Sequence, residues 1–255
     1  MRSTLRKLKN SLRQHLVKRY LSRSSRESIR DYASVMIVAP HPDDEIIGMG
    51  GYLVGRVQSG RKDYIVYLTD GENSLEDLDP EEVAWHRGRL TASVLARLGL
   101  SDAQTRMFHL PDGSVPRMGD ERFGKAVNEL GQVIADVRPE ALFVTHPLDT
   151  WPFDHVAAFE IAEAAVRQYG LNCDLYGYWV WLWYSIPIRR IATIDWQDVY
   201  SISMGSKVMK EKRALMDLYL KPACRDGRPW CGILPDVLLR SVDKPYEVVQ
   251  QFKKL

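Results

Sequence analysis

The segment Ser34-Val-Met-Ile-Val-Ala39 runs directly into Pro40-His-Pro-Asp-Asp-Glu45, and this junction decides the predicted fold. The first segment is a continuous apolar run of β-branched character, which is typical of a strand buried on both faces in a parallel sheet. The run ends at a proline, and an imidazole and three carboxylates follow at once. We therefore expect a buried strand whose carboxyl end carries the chemistry.

Predicted strands and helices alternate through the following part of the chain. The helix that starts at Pro80 has Asp79 as a candidate N-cap and Gly99 as its terminator. This alternation predicts an α/β sandwich in which polar residues at the strand ends share one edge of the sheet. The predicted elements are a helix through Gly51 to Gln58, a strand 64–69, helices 80–98 and 123–137, a strand 141–145 and a helix 156–169.

An aromatic stretch follows, Tyr176-Gly-Tyr-Trp-Val-Trp-Leu-Trp-Tyr184. Its alternation predicts a strand with two aromatic-rich faces, the tryptophans on one and Tyr178, Val180, Leu182 and Tyr184 on the other. Aromatic side chains serve in cores and interfaces as well as on sugar-stacking surfaces. The sequence leaves both interpretations open.

The composition is that of an ordinary globular protein, and 255 residues suffice for one large domain. Apolar residues make up 45% and charged residues 27% of the chain, which excludes a disordered or fibrous class. The three cysteines have no paired CxxC spacing, which argues against a disulfide framework and a structural zinc cluster. No apolar run approaches the roughly 18 residues that span a bilayer, and no signal-peptide pattern follows the N-terminus, so we expect a cytoplasmic protein.

The N-terminus is a basic arm. Residues 1–30 carry ten Lys or Arg and one acid, whereas the remainder carries 25 basic and 32 acidic residues. We predict an amphipathic helix over residues 1–31 and a single domain over 32–255. The helix fits peripheral association with an anionic membrane at its inner face, or packing on the domain or on another subunit of a homo-oligomer. Nucleic-acid binding and a mitochondrial presequence fit less well. Its predicted apolar face is Leu5, Leu8, Leu12, Leu16 and Tyr20, opposite Arg6, Lys9, Arg13 and Lys18.

Two polar clusters follow predicted strands, and the fold should bring them together. The first is 41–45, and the second contains His146, Asp149, Asp154 and His155. A zinc ion that hydrolyses amides needs about three protein ligands, an open position for water and a carboxylate that deprotonates that water. His41 and Asp44, joined by a distant histidine, would meet this demand.

The ordered set of motifs resembles the PIG-L or LmbE-like family of zinc-dependent N-acetylglucosaminyl deacetylases. The resemblance spans roughly residues 34–170 and begins with HPDDE and IIGMGG after the first strand. It implies a Rossmann-like α/β/α sandwich with a mostly parallel sheet. The other supporting motifs are Thr69-Asp-Gly-Glu72, the helix with Arg87 and Leu98-Gly99, Pro111-Asp-Gly113 and Asp154-His155.

The resemblance also implies roles for individual residues. His41, Asp44 and His155 are expected to bind Zn²⁺, although such ligands also accept Fe²⁺, Co²⁺ or Mn²⁺. Asp43 is expected to be the general base. The family's sugar-binding arginine and aspartate correspond best to Arg87 and Asp112.

The chain departs from the family's pattern at the residue that would polarise the carbonyl oxygen of the substrate amide. The family commonly reads HPDH, whereas this chain has Pro152-Phe-Asp-His155. His146 is the expected substitute, and Trp151 is expected at the rim, where it would stack on a sugar.

The expected substrate is an N-acetylhexosamine in a glycan, glycolipid or glycoconjugate precursor. A non-catalytic glycan-binding module and a zinc amidohydrolase for a non-sugar amide are the alternatives.

Overall fold

The computed structural model describes residues 2–24, 28–61 and 63–252, and of residues 2–7, 24 and 184 it describes the backbone alone. The strands are β1 (Val35–Ala39), β2 (Tyr64–Thr69), β3 (Thr105–Leu110), β4 (Ala141–Thr145), β5 (Asp174–Tyr178), β6 (Val199–Ser203) and β7 (Tyr246–Phe252). The helices are α1 (Arg2–Ser24), α2 (Asp44–Gln58), α3 (Pro80–Leu98), α4 (Phe123–Val137), α5 (Asp154–Gln168), α6 (Leu182–Ser185), α7 (Ile188–Ile191), α8 (Ser206–Leu220) and α9 (Asp236–Val242). Two short 3-10 turns are Asp102–Gln104 and Trp196–Asp198.

The strands form one sheet in the order β3-β2-β1-β4-β5-β7-β6. Strands β1 to β5 are mutually parallel, and β7 runs antiparallel between β5 and β6. The predicted mostly parallel sheet is therefore confirmed. The strand order reverses between β1 and β4, and the crevice at such a switch point is where open α/β sheets bind ligands.

The core consists of two layers, one on each face of the sheet, and β1 contributes alternate residues to both. Val35, Ile37 and Ala39 pack with residues of α2 and α8. Met36 and Val38 pack with α4 and α5 on the opposite face. The α/β/α sandwich is thus built on a strand with no solvent-facing side, as its apolar run predicts.

The helix predictions that rest on caps and periodicity are confirmed. Asp79 Oδ1 accepts the backbone N–H of Glu81 at 3.1 Å at the start of α3. Gly99 ends α3 in the left-handed conformation, with φ 75°. The bounds of α4 also agree with the prediction.

Close packing of α2 on the sheet requires glycine at position 48. A Cβ atom on Gly48 would lie 2.4 Å from Cδ2 of Tyr178 in β5. The Tyr178 hydroxyl, in turn, donates to the carbonyl of Val38 at 3.0 Å. Helix α2 therefore lies directly against the strand ends, and its first residue is Asp44.

The prediction of one strand through residues 176–184 is wrong. Strand β5 ends at Tyr178, and the chain turns into α6. The carboxylate of Asp149 accepts the backbone N–H groups of Val180 at 3.3 Å and Trp181 at 2.8 Å, which pulls the chain out of the sheet. This contact comes from a distant loop, so local alternation could not reveal it.

Two tryptophans of this stretch, Trp179 and Trp183, are buried in the core. Their rings are 5.0 Å apart in an edge-to-face arrangement. For these two residues the packing interpretation is confirmed. Trp181 is half-buried, and the side chain of Tyr184 lies outside the described part of the chain.

The basic arm forms α1, and the second half of the predicted stripe, Leu16 and Tyr20, packs on the domain core. Val17 and Leu21 are buried, and Tyr20 stacks on Trp196 at 5.0 Å between ring centroids. Leu8 and Leu12 remain exposed, at 67% and 48%. The side chains of Leu5 and Arg6, and residues 25–27, lie outside the described part. Among the described residues no helix combines the length and apolar character needed to cross a membrane.

Candidate metal centre and active-site cavity

The candidate site lies at the carboxyl ends of β1 and β4, where the strand order reverses. His41 follows β1, and Asp44 opens α2. His155 is the second residue of α5, the helix that follows β4. The sheet topology therefore brings together two motifs that are more than a hundred residues apart in the sequence.

Three donor atoms converge here. Asp44 Oδ2 lies 3.0 Å from Nδ1 of His41 and 3.2 Å from Nε2 of His155. All three side chains are buried, and their candidate ligand atoms lie within 4.8 Å of one another. The structure thus brings together the three predicted metal ligands.

The second nitrogen of each imidazole faces a further carboxylate. Nε2 of His41 lies 3.1 Å from Asp154 Oδ2 and 3.2 Å from Asp112 Oδ1. Nδ1 of His155 lies 3.2 Å from Asp149 Oδ2. Metal-binding histidines are commonly oriented in this way, because the outer carboxylate fixes the tautomer and the ring position.

These carboxylates also govern the histidine pKa values. Burial alone would lower the pKa of His155, but the charges of Asp44 and Asp149 and their hydrogen bonds raise it to about 9. Burial opposes protonation of His41 as well, yet its acidic neighbours raise its pKa well above the usual value. Without a cation, each ring is therefore drawn toward the charged form by the surrounding negative charge.

The residues fit a divalent metal ion. Nε2 of His155 is buried and makes no hydrogen bond, despite its short distance to Asp44. Two imidazole nitrogens and a carboxylate oxygen are donors that zinc and related transition metals prefer. We therefore infer that an ion would occupy the space between His41 Nδ1, Asp44 and His155 Nε2.

A second group of donors, His41 with Asp112 and Asp154, also lies within ligand distance. The oxygens of Asp154 already accept the backbone N–H groups of Gly113 at 2.6 Å and Val115 at 3.1 Å. Asp112 Oδ2 accepts the N–H of Asn73 at 2.8 Å. We assign this group to holding the His41 ring rather than to a separate metal.

Asp43 occupies a strained position beside the donor atoms. Its φ of 129° is rare for a residue other than glycine. Backbone bonds hold this bend, because Ile46 and Ile47 donate to the carbonyl of Asp43 at 3.1 and 2.9 Å. The bend directs the Asp43 carboxylate into the cavity, 3.4 Å from Nη2 of Arg87.

Burial raises the pKa of Asp43 to about 7, and the charge of Asp44 acts in the same direction while that of Arg87 opposes it. A carboxylate with such a pKa can both accept and release a proton near neutral pH. Glu45 has a pKa raised to about 7, mainly by burial. However, its oxygens accept bonds from the Tyr67 and Tyr219 hydroxyls and the Asp43 N–H, so it supports the loop.

The cavity in front of the donor atoms has a volume of about 290 Å³. Arg87 and Asp112, the two predicted sugar-binding residues, line it. Trp151 also lines it and is 57% exposed, which agrees with the predicted rim position. The other lining residues include Gly71, Asn73, Ser74, Glu76, Gly113, Pro152, Trp181, Cys231 and Leu234.

Arg87 is fixed by close packing. Nη2 donates to the carbonyl of Pro42 at 2.6 Å, whereas Nε is buried without a hydrogen-bond partner. A Cβ atom on Gly71 would lie 2.3 Å from this Nε, so only glycine leaves room for the guanidinium. The Asp-Gly sequence after β2 therefore has a direct structural role.

The position of His146 does not support its predicted role as the carbonyl-polarising group. Its Nε2 lies 2.8 Å from Gln250 Oε1, and its Nδ1 accepts the backbone N–H of Leu148 at 3.0 Å. The ring is buried beside Trp179 and Phe252, and His146 does not belong to the described cavity lining. Burial lowers its pKa to about 4, so it is neutral at physiological pH.

Some lining residues have no signal in the sequence. Cys231 and Leu234 come from the long segment between α8 and α9, where no motif or periodicity marks them. Trp181 lies in the aromatic stretch, but the assumption of a continuous strand concealed its position. Asn73 follows the Asp-Gly-Glu motif and reaches Asp112 through hydrogen bonds, which a loop sequence alone does not predict.

Asp149 is expected to act as a positioning residue for His155. The Asp149→Asn variant should lose metal affinity by about 10- to 100-fold, because an amide oxygen holds the imidazole N–H less strongly. Competition with a chromogenic chelator measures this affinity. Asp63→Asn is the matched control, since Asp63 is buried and paired with Arg56 away from the site. Equal metal affinity in the wild type and Asp149→Asn would contradict the assignment.

The chain is similar to proteins of known family. A family model described as PIG-L, GlcNAc-PI de-N-acetylase, matches residues 36–166. A relative, the 1D-myo-inositol 2-acetamido-2-deoxy-alpha-D-glucopyranoside deacetylase of Kineococcus radiotolerans, is 31% identical over 132 residues, 49% of this chain and 35% of that protein. The chain therefore spans about a third of the length of that relative.

Solved structures share the fold. N,N'-diacetylchitobiose deacetylase from Pyrococcus horikoshii has a TM-score of 0.60 at 19% identity, covering 83% of this chain and 78% of that one. The zinc-inhibited form of teicoplanin deacetylase Orf2 has a TM-score of 0.61 at 13% identity, covering 86% and 97%. The family model matches more than half of the chain and includes every donor residue of the candidate metal centre. The chain therefore belongs to the PIG-L family.

Proposed function

We propose that this chain is a metal-dependent N-deacetylase that hydrolyses the acetamide of an N-acetylhexosamine in a glycan, glycolipid or glycoconjugate precursor. Zinc is the proposed metal. The observation that carries the proposal is the convergence of His41, Asp44 and His155 beside the carboxylate of Asp43, in a cavity open to substrate. The similarity of the chain to deacetylases that act on N-acetylated sugars adds support.

The proposed reaction assigns each residue a task. A bound cation would lower the pKa of a water molecule to about 7 and polarise the acetamide carbonyl. Asp43 accepts a proton from the attacking water and later delivers it to the departing amine. His41, Asp44 and His155 hold the cation, and their outer carboxylates keep both rings in place.

Arg87 is proposed to stabilise the negative charge that develops on the carbonyl oxygen. Pro152 cannot donate to this oxygen, and His146 is turned away. Among the described residues that line the cavity, Arg87 is the only lysine or arginine. Preorganised cationic donors in a buried site are effective at this task. Asp112 and Trp151 are proposed to contact the hydroxyls and the ring face of the sugar.

Acetate release tests the proposed function. We expect acetate from an N-acetylated sugar such as N,N'-diacetylchitobiose, loss of activity after chelation, and recovery when Zn²⁺ is restored. Parallel additions of Fe²⁺, Co²⁺ and Mn²⁺ identify the most active metal. An N-acetyl amino acid serves as the non-sugar amide.

The outcomes separate the competing functions. Acetate from the amino acid alone would favour a non-sugar amidohydrolase. Tight glycan binding without acetate, in protein that contains the metal, would favour a non-catalytic module. Activity that persists after complete metal removal would contradict the proposal.

A further inference from the structure

A buried ion pair joins α8 to β7, and neither of its residues belongs to the donor groups of the candidate metal centre. Lys212 and Glu247 are 1% and 3% exposed, and Nζ of Lys212 lies 2.6 Å from Oε1 of Glu247. Taking two charges out of water costs free energy, and well-packed apolar residues of similar volume often stabilise a fold as well or better. The pair therefore requires an explanation other than the cohesion of the core.

Both charged groups bond to the backbone of α2. Nζ of Lys212 donates to the carbonyl of Ile47 at 2.9 Å. The carboxylate of Glu247 accepts the backbone N–H groups of Gly51 at 2.8 Å and Tyr52 at 2.9 Å. In an α-helix the amide of residue 51 is the partner of the carbonyl of residue 47. The ion pair thus contacts both ends of one turn of α2.

The approach of the carboxylate to this turn depends on a glycine of the IIGMGG motif. A Cβ atom on Gly51 would lie 3.3 Å from Oε1 of Glu247 and 1.7 Å from Sδ of Met204. Glycine at this position therefore leaves the backbone N–H open to Glu247. The metal centre assigns no ligand to this part of the motif, so contact with the ion pair is the role that the structure gives it.

The turn that the ion pair contacts also holds the acidic residues of the site. The N–H of Ile47 donates to the carbonyl of Asp43 at 2.9 Å, while the carbonyl of Ile47 accepts Lys212. Asp43 is the residue with the strained φ of 129°, and Asp44 follows it with the carboxylate that lies between the two imidazoles. Ile47 therefore connects the ion pair to the bend from which both carboxylates project.

Charged groups perform a task at this place that apolar side chains could not. Apolar residues would fill the space, but they offer no directional bond to the carbonyl and N–H groups of α2. Hydrogen bonds to charged groups are short and strong, so they fix the helix along its axis and around it. A metal-binding site needs this fixation, because its donor atoms must stay within about 0.5 Å of their places.

We propose that Lys212 and Glu247 are positioning residues that hold α2 so that Asp44 meets His41 and His155 in the geometry a metal ion requires. The two charges balance each other, so the pair acts through the place of the helix rather than through its electric field. Helix α8 and strand β7 lie beyond residues 36–166, the part that the family model matches. The proposal deepens the proposed function and rests on it only in requiring a bound cation.

The double variant Lys212→Met/Glu247→Gln tests the proposal. It removes both charges together, so neither is left buried without a partner. The amide of glutamine has one oxygen, so it cannot accept both N–H groups of α2. We expect the Zn²⁺ affinity, measured by competition with a chromogenic chelator, to fall about tenfold, the lower end of the loss seen when the partner of a ligand is removed. In the metal-free protein, the amides of α2 should exchange hydrogen faster than in the wild type.

A second buried ion pair on the same helix provides the matched control. Arg56 lies in the last turn of α2, and its Nη2 is 2.7 Å from Oδ1 of Asp63. Arg56→Met/Asp63→Asn should lower the melting temperature but keep the wild-type Zn²⁺ affinity, because it loosens the end of α2 that carries no ligand. With all affinities measured well below the melting temperatures, the comparison separates the positioning of Asp44 from a general loss of stability.

The proposal is overturned if the Lys212→Met/Glu247→Gln variant binds Zn²⁺ as tightly as the wild type. Equal losses of affinity in the two double variants would also overturn it, since the effect would then follow stability alone. Unchanged hydrogen exchange in α2 would show that the pair does not hold the helix. A wild type that binds Zn²⁺ but releases no acetate from any N-acetylated sugar would contradict the proposed function and leave the positioning role in place.

Discussion

The Asp43→Asn substitution should lower kcat by about 10²- to 10⁴-fold, the range that a positioned general base contributes. The change removes the proton acceptor and keeps nearly the same shape. Asp43 is held at φ 129°, and its carboxylate lines the cavity 3.4 Å from Arg87. The side chain is therefore fixed beside the space where water would attack an amide.

The metal content of the Asp43→Asn variant shows whether Asp43 acts as a general base or as a metal ligand. Asp43 lies outside the group formed by His41, Asp44 and His155, so Asp43→Asn should bind the metal with wild-type stoichiometry. Steady-state acetate release and elemental analysis of the same preparation provide both measurements. Full turnover in this variant would remove Asp43 from the base role, and loss of the metal would make it a ligand.

Glu45 is the natural comparison, because burial raises its pKa to about 7 as well. Its carboxylate faces the hydroxyls of Tyr67 and Tyr219 and does not belong to the described cavity lining. We expect Glu45→Gln to reduce thermal stability more than Asp43→Asn does and to reduce kcat less. Thermal unfolding and acetate release distinguish the two carboxylates.

Much of the site could be predicted because it depends on two regular features. The apolar run before Pro40 identifies a buried parallel strand, and parallel strands deliver their carboxyl ends to one edge. His41 and His155 follow two such strands, so the sequence indicates their proximity without any knowledge of the loops. The caps of α3 were predictable for a similar reason, since Asp79 and Gly99 act within one helical turn.

One prediction that is wrong and one that the structure does not support concern residues whose positions depend on distant contacts. The aromatic stretch alternates like a strand, but Asp149 captures its backbone and starts a turn. His146 lies near Asp154 and His155 in the sequence, yet its Nε2 lies 2.8 Å from Gln250 Oε1 in β7, and it is not among the described cavity-lining residues. Strand β7 enters the sheet from the far end of the chain, and no local pattern indicates that position.

The arm illustrates a related limit of periodicity. The predicted stripe packs on the domain through Leu16 and Tyr20 alone among its described side chains. The buried residues of α1 are Val17 and Leu21, which lie outside the stripe. A helix with apolar residues over a wide arc can pack by more than one face, and the complementary surface decides which one. Here the ring of Trp196 receives Tyr20, which leaves the leucines of the first half exposed.

Removing the imidazole of His155 should abolish both metal binding and acetate release. His155→Ala deletes one of three protein donors, so its metal affinity should fall further than the about 10- to 100-fold loss expected from an outer partner. After gel filtration in a buffer that contains a weak chelator, the His155→Ala variant should contain no bound metal. Metal-induced thermal stabilisation, a readout independent of activity, should also disappear.

His146→Ala is the matched control for this prediction. Both histidines are buried and follow β4, but His146 contacts Gln250 and the N–H of Leu148 rather than Asp44. The His146→Ala variant should be less stable than the wild type but should keep its metal. The His155→Ala variant should lose the metal even if its far-UV circular dichroism spectrum shows an intact fold. If His155→Ala retained the metal, the ion would belong instead to His41, Asp112 and Asp154, the other group of donors in this cavity. Asp112→Asn would then become the variant that releases it, because Asp112 would change from a support of the His41 ring to a ligand.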